Sequence, residues 1–177
     1  ELTARLHQYE ADGITVRIYP IGKKVADELH KAGYQTDDSF LTIGDKPAYE
    51  DASRLATALM ELYISAQVDR VELLYHHFKN MAEQVLTEKV FLPVSLPEAD
   101  SESASSNYIL EPSAEQLLAL LLPKVLHLNI YTTLLDTVTS EHAARMLAMQ
   151  TANDNANDLI QELTLQYNKN RQQAITN

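Results

Sequence analysis

Four places in the sequence bring together residue types that could do chemistry. His76-His77 offers two adjacent imidazoles, Asp37-Asp38 two carboxylates, and His127 and His142 two ring nitrogens within a long helical pattern. Gly13, Gly22, Gly33 and Gly44 could supply the freedom a phosphate-binding loop needs. None of the four is spaced for its chemistry. Neighbours on a strand point to opposite faces, so His76 and His77 are poorly placed to share one metal ion. His127 and His142 lack a His or carboxylate four residues away, which favours packing or pairing over ligation. Asp37-Asp38 is similar to the acidic pair of a phosphoacceptor pocket, but the other members are missing and a solvated turn is the better reading. The glycines are isolated, and neither G-x-G-x-x-G nor G-x-x-x-x-G-K-[ST] can be built from them. With 0 cysteines, disulfides and thiolate metal sites are excluded. The expectation is a chain with no catalytic residue, no cofactor and no metal.

The elements that would position such residues are better defined. The chain has 177 residues, 45% of them hydrophobic, enough for a core. Its net charge of -11 argues against nucleic acid as a partner, because phosphate neutralisation needs Lys and Arg. Most of that charge lies in residues 1–112, while beyond Ser113 acidic and basic side chains nearly balance. No signal peptide is recognisable, and no uninterrupted apolar run reaches the roughly 20 residues of a membrane helix. A cytosol-facing location fits. The chain opens on Glu1 within a helical pattern and stops at Asn177 without a cap, which reads as a piece of a longer protein.

Residues 1–12 place Leu2, Leu6 and Tyr9 on one helical face, with Gly13 as the stop. Residues 14–18 alternate as a strand, residues 23–32 form a short helix closed by Gly33, and residues 40–43 read as a second strand. A helix is expected over 47–67. Two strands, 71–78 and 84–92, follow around a Lys79-Asn80 turn as an antiparallel pair. Residues 95–107 form a polar, acidic loop. Strands alternating with helices predict an α/β fold: a Rossmann-like, mostly parallel sheet with crossover helices and its first strand missing. The division expected is a truncated Rossmann-like foot over 1–112 and a long helix over 113–177. Ser113 with Gln116 forms a capping-box signature for that helix. Pro123 should bend or break it, leaving an upstream piece on the sheet and a straighter rod downstream.

The rod carries a long apolar stripe. Leu128, Tyr131, Leu135, Val138, His142, Met146, Met149, Ala152, Ala156, Leu159, Leu163, Tyr167, Arg171 and Ala174 recur at threes and fours, averaging roughly 3.5 residues, the period of a left-handed coiled-coil seam. Residues 140–177 alone would reach roughly 57 Å. A helix this long and this narrowly apolar needs a partner helix.

Several pieces of residues 140–176 stand in a particular order: S-E-x-A-A-R-M-x-A-M, A-x-D-N-A, L-I-x-E-L and Y-N-x-x-R-Q-x-x-I-T. In that order and spacing the segment resembles the C-terminal helix of the gamma subunit of bacterial F-type ATP synthase, the central rotor shaft. The stretch YILEPS at 108–113 is similar to that family's Y-x-x-E-P segment, and the strand–turn–strand of 71–92 to its central domain. The resemblance implies an antiparallel coiled coil between this rod and the subunit's own N-terminal helix. It also implies a Rossmann-like foot on the epsilon subunit and the membrane rotor ring, and a shaft inside the ring of alpha and beta subunits.

Carried over residue by residue, the resemblance makes Arg145, Arg171 and Gln172 beta-subunit contacts, and turns Tyr108 and Glu111 toward epsilon and the ring. An i,i+4 pair between Glu141 and Arg145 is the competing assignment for Arg145. The implied protein is non-catalytic, peripheral to the cytoplasmic face of the bacterial inner membrane, and part of a proton-translocating complex. Two other classes remain open at this point: a small-molecule-binding α/β enzyme with its ligand loop in the missing segment, and an unrelated coiled-coil adaptor. On its own, the isolated chain is expected to self-associate through the unpartnered stripe.

Overall fold

The computed structural model describes residues 2–95, 111 and 113–176. Its elements are α1 (Leu2–Ala11), α2 (Lys23–Lys31), a 3-10 turn (Asp38–Phe40), α3 (Tyr49–Ile64), β1 (Val71–Phe78), β2 (Gln84–Leu92) and α4 (Ala114–Thr176). The helices begin and end where backbone chemistry directs. In α2, Gly33 adopts φ 88° and the Schellman bonds close, Tyr34 N to Leu29 O and Gly33 N to His30 O, both 3.0 Å.

The end of α3 uses the same motif with an unsuitable residue. Gln67 N donates to Leu62 O and Ala66 N to Tyr63 O, both at 3.0 Å, but the left-handed position is Ala66, at φ 54°. An L side chain there crowds the following carbonyl, and glycine removes the crowding. Ala66→Gly is therefore expected to raise unfolding stability by about 1 kcal/mol, read from the urea midpoint. An unchanged or lowered midpoint would contradict this account.

β1 and β2 pair antiparallel, as the sequence predicts, in a register running from Val71↔Leu92 to Phe78↔Gln84 with one irregularity after Val71. The predicted parallel sheet with crossover helices is a different matter. Among the described residues the sheet has two antiparallel strands, and parallel pairing is confined to the bridge Ile18↔Thr36. Apolar alternation at 14–18 does not by itself supply a neighbour: Ile14 and Val16 are exposed, and Ile18 alone is bridged. The strand predicted at 40–43 is replaced by the 3-10 turn and further turns. The Asp37 side chain accepts from Ser39 N at 3.1 Å, which curls the chain before it can extend. Those Ser39 hydrogen bonds also hold the Asp37 carboxyl below its ordinary range. The solvated-turn reading of Asp37-Asp38 fits this geometry.

The core lies between α3, the open end of the hairpin and α4. Ala52, Leu55, Ala56 and Leu59 of α3 meet Phe91 and Leu92 of β2 and Leu126, Ile130 and Leu134 of α4. Ser113 caps α4 as predicted, its Oγ accepting from Gln116 N at 3.3 Å. The helix then continues for 63 residues through Pro123 without the predicted break. The packed stretch also differs from expectation. Leu118, Leu120, Leu121 and Leu122, upstream of Pro123, are exposed, and the seat on the body spans Leu126 to Ala143.

Candidate functional site: the long helix and its seat

α4 presents two apolar faces between Leu126 and Val138. At about 100° per residue, the face of Leu126, Ile130 and Leu134 is centred roughly 120° from that of Leu128, Tyr131, Leu135 and Val138. Leu126, Ile130 and Leu134 are 6%, 2% and 5% exposed and rest on α3 and the hairpin. The predicted seam takes the second face: Leu128 and Leu135 are exposed, Val138 is half-buried, and Tyr131 packs at the core's margin against the edge of Tyr49. Below the body the seam runs on with no cover among the described residues. Met146, Met149, Leu159, Leu163 and Tyr167 are exposed at 52%, 68%, 55%, 54% and 67%, and Ala152 and Ala156 between them are exposed too.

The hairpin is held on both faces. Tyr9 of α1 donates to Glu72 Oε2 at 2.6 Å, which pushes the phenol above its ordinary pKa, and Arg5 pairs with Glu88 at 2.9 Å. On the α4 side Lys89 donates to Asn129 Oδ1 at 3.0 Å. Asp136 accepts from Phe78 N at 2.8 Å and engages His77 Nδ1 at 2.6 Å, and buried Ser140 donates to the His76 carbonyl at 3.0 Å. His127 sits between α3 and α4, its ring nitrogens 3.2 Å from Ser53 Oγ and Thr57 Oγ1. His127 therefore pairs across the α3–α4 interface, and the two histidines of β1 serve different partners.

The predicted contact residues fall apart into groups. Arg145 lies against Glu141 in the i,i+4 pair, both side chains largely exposed. Arg171 and Gln172 are exposed far along the rod, and Glu111 is exposed at a bend before α4. Tyr108 lies outside the described residues. Among the described residues, no contact joins Glu111, Arg145 and Arg171.

Sequence reasoning missed the seat of α4 and its polar partners, Asp136 and Ser140. The signal was present, since the sequence carries apolar residues at 126, 130 and 134 in a strict four-residue step. The longer seam on a neighbouring face masked it. Counting uninterrupted apolar runs also missed that an 18-residue window of α4, with mean hydropathy 1.4, is apolar enough to cross a membrane by length and composition alone. Part of α4's apolar surface is committed otherwise, with Leu126, Ile130 and Leu134 spent on the body.

Comparison with known proteins points to one family. A family model described as ATP synthase matches residues 1–177. The ATP synthase gamma chain of Parabacteroides distasonis is 65% identical over 177 residues, covering 100% of this chain and 62% of that protein. Those of Bacteroides thetaiotaomicron and Bacteroides fragilis are 48% and 51% identical, each covering 92% of this chain and 58% and 57% of theirs. This chain thus spans less than two thirds of the length of these relatives. A chain from the central stalk and c-ring structure of the Tetrahymena thermophila mitochondrial ATP synthase is 22% identical with a TM-score of 0.49, over 76% of this chain and 59% of that one, below the level that defines a shared fold. Matched from its first residue to its last by that family model, and similar throughout to gamma chains, the chain belongs to the ATP synthase gamma-chain family.

Proposed function

We propose that this chain is the foot and much of the shaft of the central rotor of a proton-translocating ATP synthase. In that role it has no catalytic site and passes rotation between a membrane ring and the catalytic alpha and beta subunits. The observation that carries the reading is the bare seam of α4. Met149, Leu163 and Tyr167 are 68%, 54% and 67% exposed on a helix of 63 residues, with no described residue packed over them. Membership in the gamma-chain family supports the subunit's own N-terminal helix as the partner that covers them. A Rossmann-like foot is part of this reading, and the single parallel bridge Ile18↔Thr36 is compatible with it. The complex sits at the cytoplasmic face of the inner membrane. Tyr108 and Glu111 face the epsilon subunit and the ring, and Arg145, Arg171 and Gln172 face the beta subunits. The relatives favour neither the enzyme nor the adaptor class.

The rod's far end suits a shaft that must turn. Asn153, Asp154, Asn155, Asn157, Asp158, Gln161 and Gln166 surround the seam and are exposed. Every 1.36 kcal/mol by which one orientation is preferred slows escape from it about tenfold. Neutral polar side chains keep such preferences small. The shaft's asymmetry still lets it favour different partner conformations at each angle, which is coupling by differential interaction energy.

Arg171 is the charged residue with the clearest assignment, since its planar fork can hold carboxylates or carbonyls of a surrounding loop. In the full-length subunit assembled with its complex, Arg171→Ala is expected to lower coupled ATP synthesis several-fold with assembly unchanged. Synthesis equal to wild type would remove Arg171 from the contact set.

A further inference from the structure

The joint between the rod and the body holds more directional bonding than adhesion requires. Asp136 and Ser140 stand one turn apart on α4, and between them they engage the last three residues of β1. Asp136 Oδ1 accepts from Phe78 N at 2.8 Å, Asp136 Oδ2 meets His77 Nδ1 at 2.6 Å, and Ser140 Oγ donates to the His76 carbonyl at 3.0 Å. An ionised carboxylate only accepts, so His77 donates from Nδ1. Ser140 is 2% exposed, and the Asp136 side chain is 24% exposed. His76, His77 and Phe78 are in turn paired with Leu86, Val85 and Gln84 of β2, so the bonds reach a strand that is itself fixed.

Apolar contact alone is non-directional and leaves a helix able to slide and roll on its seat. Hydrogen bonds to backbone atoms demand both distance and angle, and so set one register. Leu126, Ile130 and Leu134 supply adhesion here, while Asp136 and Ser140 supply orientation. We propose that Asp136 and Ser140 are positioning residues that fix the angle of the shaft on the foot and carry torque across that joint. The proposal rests on the rotor reading above. A weakened joint slips, so the shaft turns without carrying the foot through the same angle, and nucleotide turnover and proton movement lose step.

The test uses the full-length subunit assembled in its complex in inverted membrane vesicles, with ATP hydrolysis and ATP-driven proton pumping measured together. Amide exchange at Phe78 reports whether the bond to Asp136 is lost. For Asp136→Ala combined with Ser140→Ala, assembly and hydrolysis are expected to match wild type. Protons pumped per ATP should fall several-fold, and Phe78 amide exchange should quicken about tenfold. Asp136→Asn keeps an acceptor for Phe78 N and should restore most of the pumping. Failure of the wild-type subunit itself to support pumping would count against the rotor reading. Wild-type pumping matched by the double variant, with Phe78 exchange quickened, overturns the positioning role. If the double variant does not assemble, Ser140→Ala alone decides: reduced pumping per ATP supports the role, and wild-type pumping overturns it.

Discussion

Phe91→Ala is expected to cost the folded chain about 3–5 kcal/mol, the largest loss for any single truncation in the body. Phe91 is the largest fully buried side chain, 2% exposed, and it belongs to the cluster that joins α3, β2 and α4. Removing the ring deletes apolar surface and leaves a cavity that three separate elements would have to move to fill. Two of the three are fixed elsewhere, β2 by its ladder with β1 and α4 by its bonds to that same hairpin, so collapse into the space is limited. Single domains are stable by only about 5–15 kcal/mol, so the loss is a large share of the total. Urea unfolding followed by circular dichroism checks it. A loss under about 1 kcal/mol would mean that the site collapses freely and that the three elements are not held as described.

The second large effect differs between two forms of the protein. Leu159 and Leu163 are 55% and 54% exposed in this chain. In the dilute, monomeric chain, truncating either to alanine should change stability by less than about 0.5 kcal/mol, since a surface site loses little and alanine is a good helix former. In the full-length subunit, with the N-terminal helix packed on the seam, each substitution should cost about 2–5 kcal/mol, as burial in a coiled-coil core requires. The contrast is the informative quantity. Equal and small effects in both forms would mean that no helix covers these positions. Sedimentation adds an independent check: the isolated chain should self-associate with rising concentration, and the full-length subunit should not. Self-association that persists with the N-terminal helix present would favour the coiled-coil adaptor reading.

The parts legible in sequence are those fixed by neighbours close along the chain. Gly33 ends α2 because only a residue tolerant of positive φ completes its Schellman bonds, and Ser113 caps α4 through the next turn. The hairpin follows from two apolar segments around Lys79-Asn80, where the Asn80 side chain accepts from Ala82 N and Glu83 N at 2.9 and 2.8 Å. The seam was visible because one period persists from Leu128 to Tyr167, and exposure along most of that face agrees with it.

Other features depend on distant partners. The seat of α4 is hidden in sequence because Leu126, Ile130 and Leu134 lie on a second face roughly 120° from the seam, and two apolar faces on one helix blur each other's periodic signal. Residues 40–43 look extended by composition, yet Asp37 bends the chain through a side-chain bond that β-propensity does not weigh. A strand alternation at 14–18 without a paired neighbour yields one bridge and no ladder. Asp136 and Ser140 act through β1, far away in the sequence, so neither could be distinguished from other polar residues on a long helix. Arg145 was read two ways, and its side chain lies on Glu141 within the helix.

The central claim is that this polypeptide turns as a shaft, and rotation measures it most directly. With the alpha and beta subunits of the complex held on a surface and a bead attached at Lys23 on α2, the full-length subunit should rotate in one direction when ATP is added. The rotation should stop when ATP is withdrawn. ATP hydrolysis by a fully assembled complex in which the bead shows only Brownian motion would contradict the account.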